Sequence, residues 1–199
     1  GSFATSTRLT GTGVVYTNTT AAEGTSSNAK FDYMNGWYSF AGTDADQISW
    51  MFNRAPEFMD IVTYPGTGSA KTVAHGLTVV PELMICKCRD QIGSWYVYTA
   101  SLGATKRFLL NSDTYEYTTS SAWNNTAPTS SVFTVGVETN TSSDEFIAYL
   151  FATLAGISKV GSYTADATLT TIDCGFAAGA RYILIKRTDA AGDWYFWDY

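Results

Sequence analysis

A ten-residue window occurs twice in this chain. Lys87-Cys88-Arg89-Asp90-Gln91-Ile92-Gly93-Ser94-Trp95-Tyr96 lies over Lys186-Arg187-Thr188-Asp189-Ala190-Ala191-Gly192-Asp193-Trp194-Tyr195. Lys, Asp, Gly, Trp and Tyr coincide at a shift of 99 residues. The same shift pairs Tyr64 with Tyr163, Gly76 with Gly175, and Ile48 and Phe52 with Ile147 and Phe151. A chain that repeats itself in this way is expected to fold as copies of one unit that share buried surface. The repeat runs without a gap from Asp46–Tyr98 against Glu145–Trp197. Upstream, a shift of 99 pairs Arg8 with Arg107 and Tyr16 with Tyr115, whereas a shift of 93 lays Asn18–Glu23 on Asn111–Glu116. The shift of 93 is preferred there.

The unit reads as β. Thr, Val, Tyr, Phe and Trp suit a pleated sheet, and aromatic residues make up 15% of the chain while good helix formers are sparse. Ile48, Trp50 and Phe52 alternate with polar residues, as Ile147, Tyr149 and Phe151 do with smaller ones, which predicts strands. Helical spacing over Phe146 to Leu154 is the weaker reading, because the other copy carries Pro56 just past Phe52. Glu82–Lys87 and Arg181–Arg187 are further apolar strands. Each leads into a turn, Asp90–Gly93 or Asp189–Gly192, with the Asp and Gly of a type I turn. Trp95–Tyr98 and Trp194–Trp197 return, so the same β-hairpin is predicted twice. Thr17–Asn28, Thr118–Ser131 and Thr139–Asp144 read as loops. The expectation is an all-β chain of antiparallel β-sandwich-type modules in tandem, with a period of about 99 residues.

Charge and chemistry narrow the function. A net charge of −6 repels phosphate backbones and anionic lipid, so nucleic acid and membrane surfaces are poor partners. The longest apolar stretch, Phe146–Ile157, is too short for a membrane-spanning helix, and Gly1–Thr5 shows no signal-peptide pattern. Cys86, Cys88 and Cys174 lie over Ile185, Arg187 and His75, so no cysteine position is kept, and no metal or cofactor is expected. The single histidine, His75, has no nucleophile motif beside it. Gly66–Thr72 lacks phosphate-loop spacing and reads as a hairpin loop. Asp44, Asp46, Glu57, Asp60, Glu82, Asp144 and Glu145 read as solvated carboxylates, so no catalytic residue is assigned. Aromatics are the positive signal. Trp95, Tyr96, Trp194 and Tyr195 recur and read as packing residues. Trp123, in the polar loop Ser120–Asn125, has no aromatic counterpart and reads as an exposed ligand contact, together with Asn124 and Asn125.

Gly161-Ser162-Tyr163, Gly175-Phe176, Ile183–Asp189 and Gly192–Tyr195 resemble a module of tailed-phage virion proteins, common in marine phages and often found in tail-fibre-like proteins beside concanavalin-like lectin domains. Arg107–Ser112 resembles its middle and Phe146–Ala152 its last strand. Asn18–Glu23 and Asn35-Gly36-Trp37 resemble the same middle region, which favours the shift of 93. That pattern usually continues beyond the position of Asp198 into Arg-Gly, whereas this chain ends at Tyr199. The resemblance implies a module phase in which 56–155 is one complete unit, 1–55 the end of another, and 156–199 the start of a further one that 1–55 could complete. It also implies a non-enzymatic structural or adhesive protein, in the virion or otherwise extracellular. Its implied partners are other virion proteins, further copies of itself (a trimer is the common fibre state) and a host-surface glycan. A lectin-like carbohydrate-binding module of non-viral origin is the alternative, and a glycan-cleaving enzyme the third reading.

Overall fold

The stretch Glu145–Phe151 is apolar on both sides, which demands cover on both faces of the sheet that holds it. The computed structural model describes residues 3–27 and 48–198. In chain order the strands are β1 (Ala4–Thr5), β2 (Gly13–Tyr16), β3 (Gly24–Thr25), β4 (Met59–Pro65), β5 (Lys71–Ala74), β6 (Leu83–Cys88) and β7 (Trp95–Thr99). They continue as β8 (Lys106–Leu109), β9 (Tyr117–Thr118), β10 (Val132–Val135), β11 (Glu145–Phe151), β12 (Tyr182–Lys186) and β13 (Trp194–Asp198). One short 3₁₀ turn, Val137–Thr139, is the only helical element among the described residues.

A six-stranded antiparallel sheet, ordered β4-β11-β6-β7-β8-β9, forms the main layer. β11 lies inside it, paired with β4 from Glu145↔Pro65 to Phe151↔Met59 and with β6 from Phe146↔Cys88 to Phe151↔Leu83. Successive side chains of a strand point to opposite faces. Phe146, Ala148 and Leu150 therefore join Tyr64, Met84, Cys86 and Tyr98 on one face. The two-stranded sheet β5–β10 closes over that face with Val73, Phe133 and Val135, giving a sandwich core. Ile147, Tyr149 and Phe151 join Met59, Ile61, Ile85 and Trp95 on the opposite face, and Val15 of β2 packs against them. Each fully buried large apolar side chain here contributes about 1.5–3 kcal/mol.

Both predicted hairpins form, as β6–β7 and β12–β13. Two expectations need correction. Ile48, Trp50 and Phe52 lie in no strand, although their alternation matches that of β11. Gly66–Thr72 is not a hairpin loop: β4 pairs with β11 and β5 with β10, so this stretch carries the chain from one layer to the other. Gly66 is needed there, because a Cβ would strike the Thr141 carbonyl. No helix among the described residues is long and apolar enough to cross a membrane.

Candidate functional site

Trp123 is not exposed. Its side chain is 0% accessible, deep in the sandwich core. The indole Nε1–H donates to the Lys106 carbonyl at 3.1 Å, and the ring meets Tyr98 edge-on at 5.8 Å. Neighbouring backbone is pinned, since the Ala122 carbonyl accepts from Gly136 N–H at 2.8 Å and from the Thr139 hydroxyl at 2.7 Å. Asn124 and Asn125 are exposed, each with φ near +50°, a left-handed conformation that Asn tolerates better than most residues. Those two residues turn the chain and Trp123 points inward, so the three do not form one surface.

The polar groups that could support chemistry are tied to the backbone. Asp60 is buried. Its Oδ1 accepts from Arg54 Nε at 2.7 Å and from the Ile61 N–H at 2.8 Å, and its Oδ2 from the Gly76 N–H at 2.6 Å. His75 Nε2 lies 3.1 Å from the Thr129 carbonyl, and Nδ1 accepts from the Leu77 N–H at 3.2 Å. These side chains border a shallow depression of about 320 Å³ on the outside of β4. With both imidazole nitrogens and both carboxylate oxygens engaged, they hold the 75–77 turn against β4. Glu82 accepts from the Thr153 N–H at 2.6 Å, and Asp90 from the Glu145 N–H at 2.7 Å. Asp44 and Asp46 lie outside the described residues. Burial pushes the Cys86 thiol up to about 12 and the Cys88 thiol above its ordinary value, so both stay protonated at neutral pH, which disfavours thiolate chemistry. Among the described residues no three His, Cys, Asp or Glu side chains gather where a metal ion could sit.

What the fold does build is a docking surface. The hairpin β6–β7 receives the stretch Tyr16–Glu23 along its turn end. Trp95 Nε1–H donates to the carbonyls of Tyr16 and Thr19 at 3.1 and 3.2 Å. The Thr20 carbonyl accepts from the Gly93 N–H at 2.9 Å and faces Lys87 Nζ at 3.4 Å. The Glu23 N–H donates to the Arg89 carbonyl at 2.7 Å, and the Arg89 guanidinium grips the Glu23 carboxylate through two bonds of 2.8 Å. Lys87 is buried, with no carboxylate partner among the described residues. Its ammonium also donates to the Cys88 carbonyl at 2.8 Å, and burial lowers its pKa. Held by the Thr20 and Cys88 carbonyls, this lysine ties the hairpin to the docked stretch.

A second surface lies on β12–β13. Tyr195 and Trp197 are 52% and 53% accessible and stack at 6.0 Å with 21° between ring planes, and Ile183, opposite Trp197 in register, is exposed beside them. Tyr195 is thus not the packing residue its recurrence suggests, whereas Trp95 is buried, and Tyr96 and Trp194 are half-buried. The signal that could have located this surface was Phe196-Trp197 standing where the first copy has Val97-Tyr98.

No curated protein and no solved structure matches this chain. A sequence family does, over residues 7–199, which include both hairpins and the docked Tyr16–Glu23 stretch. The chain therefore belongs to the DUF7483 family, described as a domain of unknown function.

Proposed function

We propose that this chain is a non-enzymatic structural and adhesive protein of a tailed-phage virion, fibre-like, that helps recognise the host surface. The observation that supports the adhesive part is the aromatic face of β12–β13, where Ile183, Tyr195 and Trp197 stand exposed in one row. Contiguous exposed apolar surface of this kind marks binding sites, and flat rings bind with little loss of conformational freedom. The virion part rests on the resemblance of Gly161–Tyr195 to tail-fibre-like modules. Other virion proteins, further copies of the chain and a host glycan are the partners this reading implies.

The stacked pair Tyr195–Trp197 also favours a second reading, a lectin-like carbohydrate-binding module of non-viral origin, because such rings match the apolar faces of sugars. One experiment tests adhesion in both: binding of the purified chain to a broad glycan array, with free-sugar competition. Saturable, competable binding that Trp197→Ala abolishes and Trp123→Phe preserves supports adhesion through this face. Absence of binding, both to glycans and to whole host cells, refutes it. Light scattering after gel filtration then separates the two readings, a trimer favouring the fibre and a sugar-binding monomer the lectin.

A further inference from the structure

The hairpins β6–β7 and β12–β13 share one register. Adding 99 to each pair of the first, from Leu83↔Thr99 to Lys87↔Trp95, gives each pair of the second, from Tyr182↔Asp198 to Lys186↔Trp194. The pairs β2–β3 and β8–β9 correspond as well, at 93. Gly13↔Thr25 and Val14↔Gly24 become Lys106↔Thr118 and Arg107↔Tyr117.

Contacts between hairpin and strand segment obey both shifts at once. Trp95 Nε1–H donates to the Tyr16 carbonyl, and Trp194 Nε1–H donates to the Leu109 carbonyl at 2.9 Å. The Gly93 N–H donates to the Thr20 carbonyl, and the Gly192 N–H to the Asp113 carbonyl at 2.8 Å. Lys87 reaches the Thr20 carbonyl, and Lys186 the Asp113 carbonyl at 3.0 Å. The Glu23 N–H donates to the Arg89 carbonyl, and the Glu116 N–H to the Thr188 carbonyl at 3.3 Å. Four of the contacts that dock Tyr16–Glu23 on the first hairpin thus recur where the second hairpin meets Leu109–Glu116, whereas the Arg89–Glu23 ion pair does not, since Thr188 stands in place of Arg89.

Two arrangements produce such recurrence: an open array in which each unit docks on the one before, or a closed pair in which each unit docks on the other. They differ in where the N-terminal piece lies relative to β12–β13. The rings of Phe3 and Phe196 meet edge-on at 5.1 Å. Trp50 lies 5.9 Å from Tyr182 and 5.3 Å from Phe196, and Phe52 lies 5.9 Å from Tyr182. In the first unit Phe151 stands beside Leu83 in register, and Phe52 and Tyr182 are their counterparts at 99. The two end pieces therefore touch as parts of one unit do. Phe52 also meets its own counterpart, Phe151, at 6.0 Å, as residues near a two-fold axis must.

We infer that residues 3–27 and 48–55 complete residues 156–198 as a second unit, split between the two ends of the chain, and that the two units form an intrachain dimer through one self-complementary surface. The partner this surface fits is a second copy of the module. The second unit is less complete than the first: the counterparts of β4, β5 and β11, at 158–164, 170–173 and 48–52, lie in no strand, and its sheet is closed differently. β1 pairs with β2 at Ala4↔Tyr16 and Thr5↔Val15, as β7 pairs with β8 at Tyr96↔Leu109 and Val97↔Phe108. β1 thereby fills the position β13 would take, and β12–β13 remains a separate sheet.

The test is a pair of cysteines, Phe3→Cys and Phe196→Cys, in a Cys174→Ser background, oxidised at low protein concentration. A closed pair gives a link within one chain, seen as a faster-migrating monomer on a non-reducing gel. A ladder of linked chains shows the open array and overturns the inference, as does absence of any link. A circular permutant, with Tyr199 joined to Gly1 through a short glycine linker and new termini at Ala155 and Gly156, tests the split independently. It is expected to unfold in one transition within a few degrees of the parent, and failure to fold overturns the inference.

Discussion

Replacing Trp123 by alanine separates a core side chain from a surface contact. The ring is wholly buried among residues of both layers. Truncating a buried Trp to Ala costs about 3–5 kcal/mol through lost transfer energy and the cavity left behind. The Lys106 carbonyl also loses its indole donor, which adds about 1 kcal/mol. The expected loss is about 4–6 kcal/mol. With a urea slope of about 2 kcal/mol per molar, the midpoint falls by about 2–3 M. Trp123→Phe keeps most of the volume and the edge contact with Tyr98 but not the N–H, so it costs about 1–2 kcal/mol. Far-UV circular dichroism against urea measures both variants without relying on tryptophan emission. If Trp123→Ala leaves the midpoint unchanged and instead removes ligand binding, the ring lies on the surface and the reasoning fails.

Three further outcomes follow from the same packing. Burial raises the Cys86 thiol from an ordinary 9.0 to about 12, so above pH 9 the unfolded chain loses a proton that the folded chain keeps. That contribution to stability is full below pH 9 and is lost as pH climbs toward 12. The slope of stability against pH between 9 and 11 should be less steep in Cys86→Ala by up to about 1.4 kcal/mol per pH unit, and identical slopes would rule the burial out. Thiol titration at pH 8 should find Cys174 reacting in the native protein, and Cys86 and Cys88 only in denaturant; fast reaction of all three would contradict their burial. Gly66→Ala should destabilise by about 1–3 kcal/mol in urea, because the added methyl meets the Thr141 carbonyl, and a neutral result would mean that this crossing is looser than described.

The hairpins were legible in the sequence because two signals coincide in each, an apolar run on either side and an Asp-x-x-Gly turn between. The crossing at Gly66–Thr72 was not, because a glycine-rich stretch reads the same whether it folds back within a sheet or passes to another. Alternation at Ile48–Phe52 equals that at Ile147–Phe151, yet only the second is a strand. Alternation records which face is apolar, not whether a neighbouring edge is free to pair, and β11 gains edges on both sides from β4 and β6. Trp123 misled for a related reason: the polarity of Ser120–Asn125 describes its backbone turn, while the direction of the ring is set by a core the local sequence does not contain.

The change of shift from 93 to 99 bears on the same residue. The span from Thr119 to Ile147 is six residues longer than that from Ser26 to Ile48, its counterpart in the other copy. Trp123 lies within the longer span, which explains why it has no aromatic mate under either shift. The added length carries a tryptophan into the sandwich core of the first unit, placed against Tyr98 and bonded to the start of β8. At the matching positions of the second unit, Tyr195 and Trp197 take the places of Tyr96 and Tyr98, and both rings face outward. Two units that share registers and docking contacts therefore differ on the face away from their interface. One closes over a tryptophan, and the other presents a pair of rings. The aromatic face of β12–β13, not the Trp123 loop, is the accessible ring surface on which the proposed adhesion is to be tested.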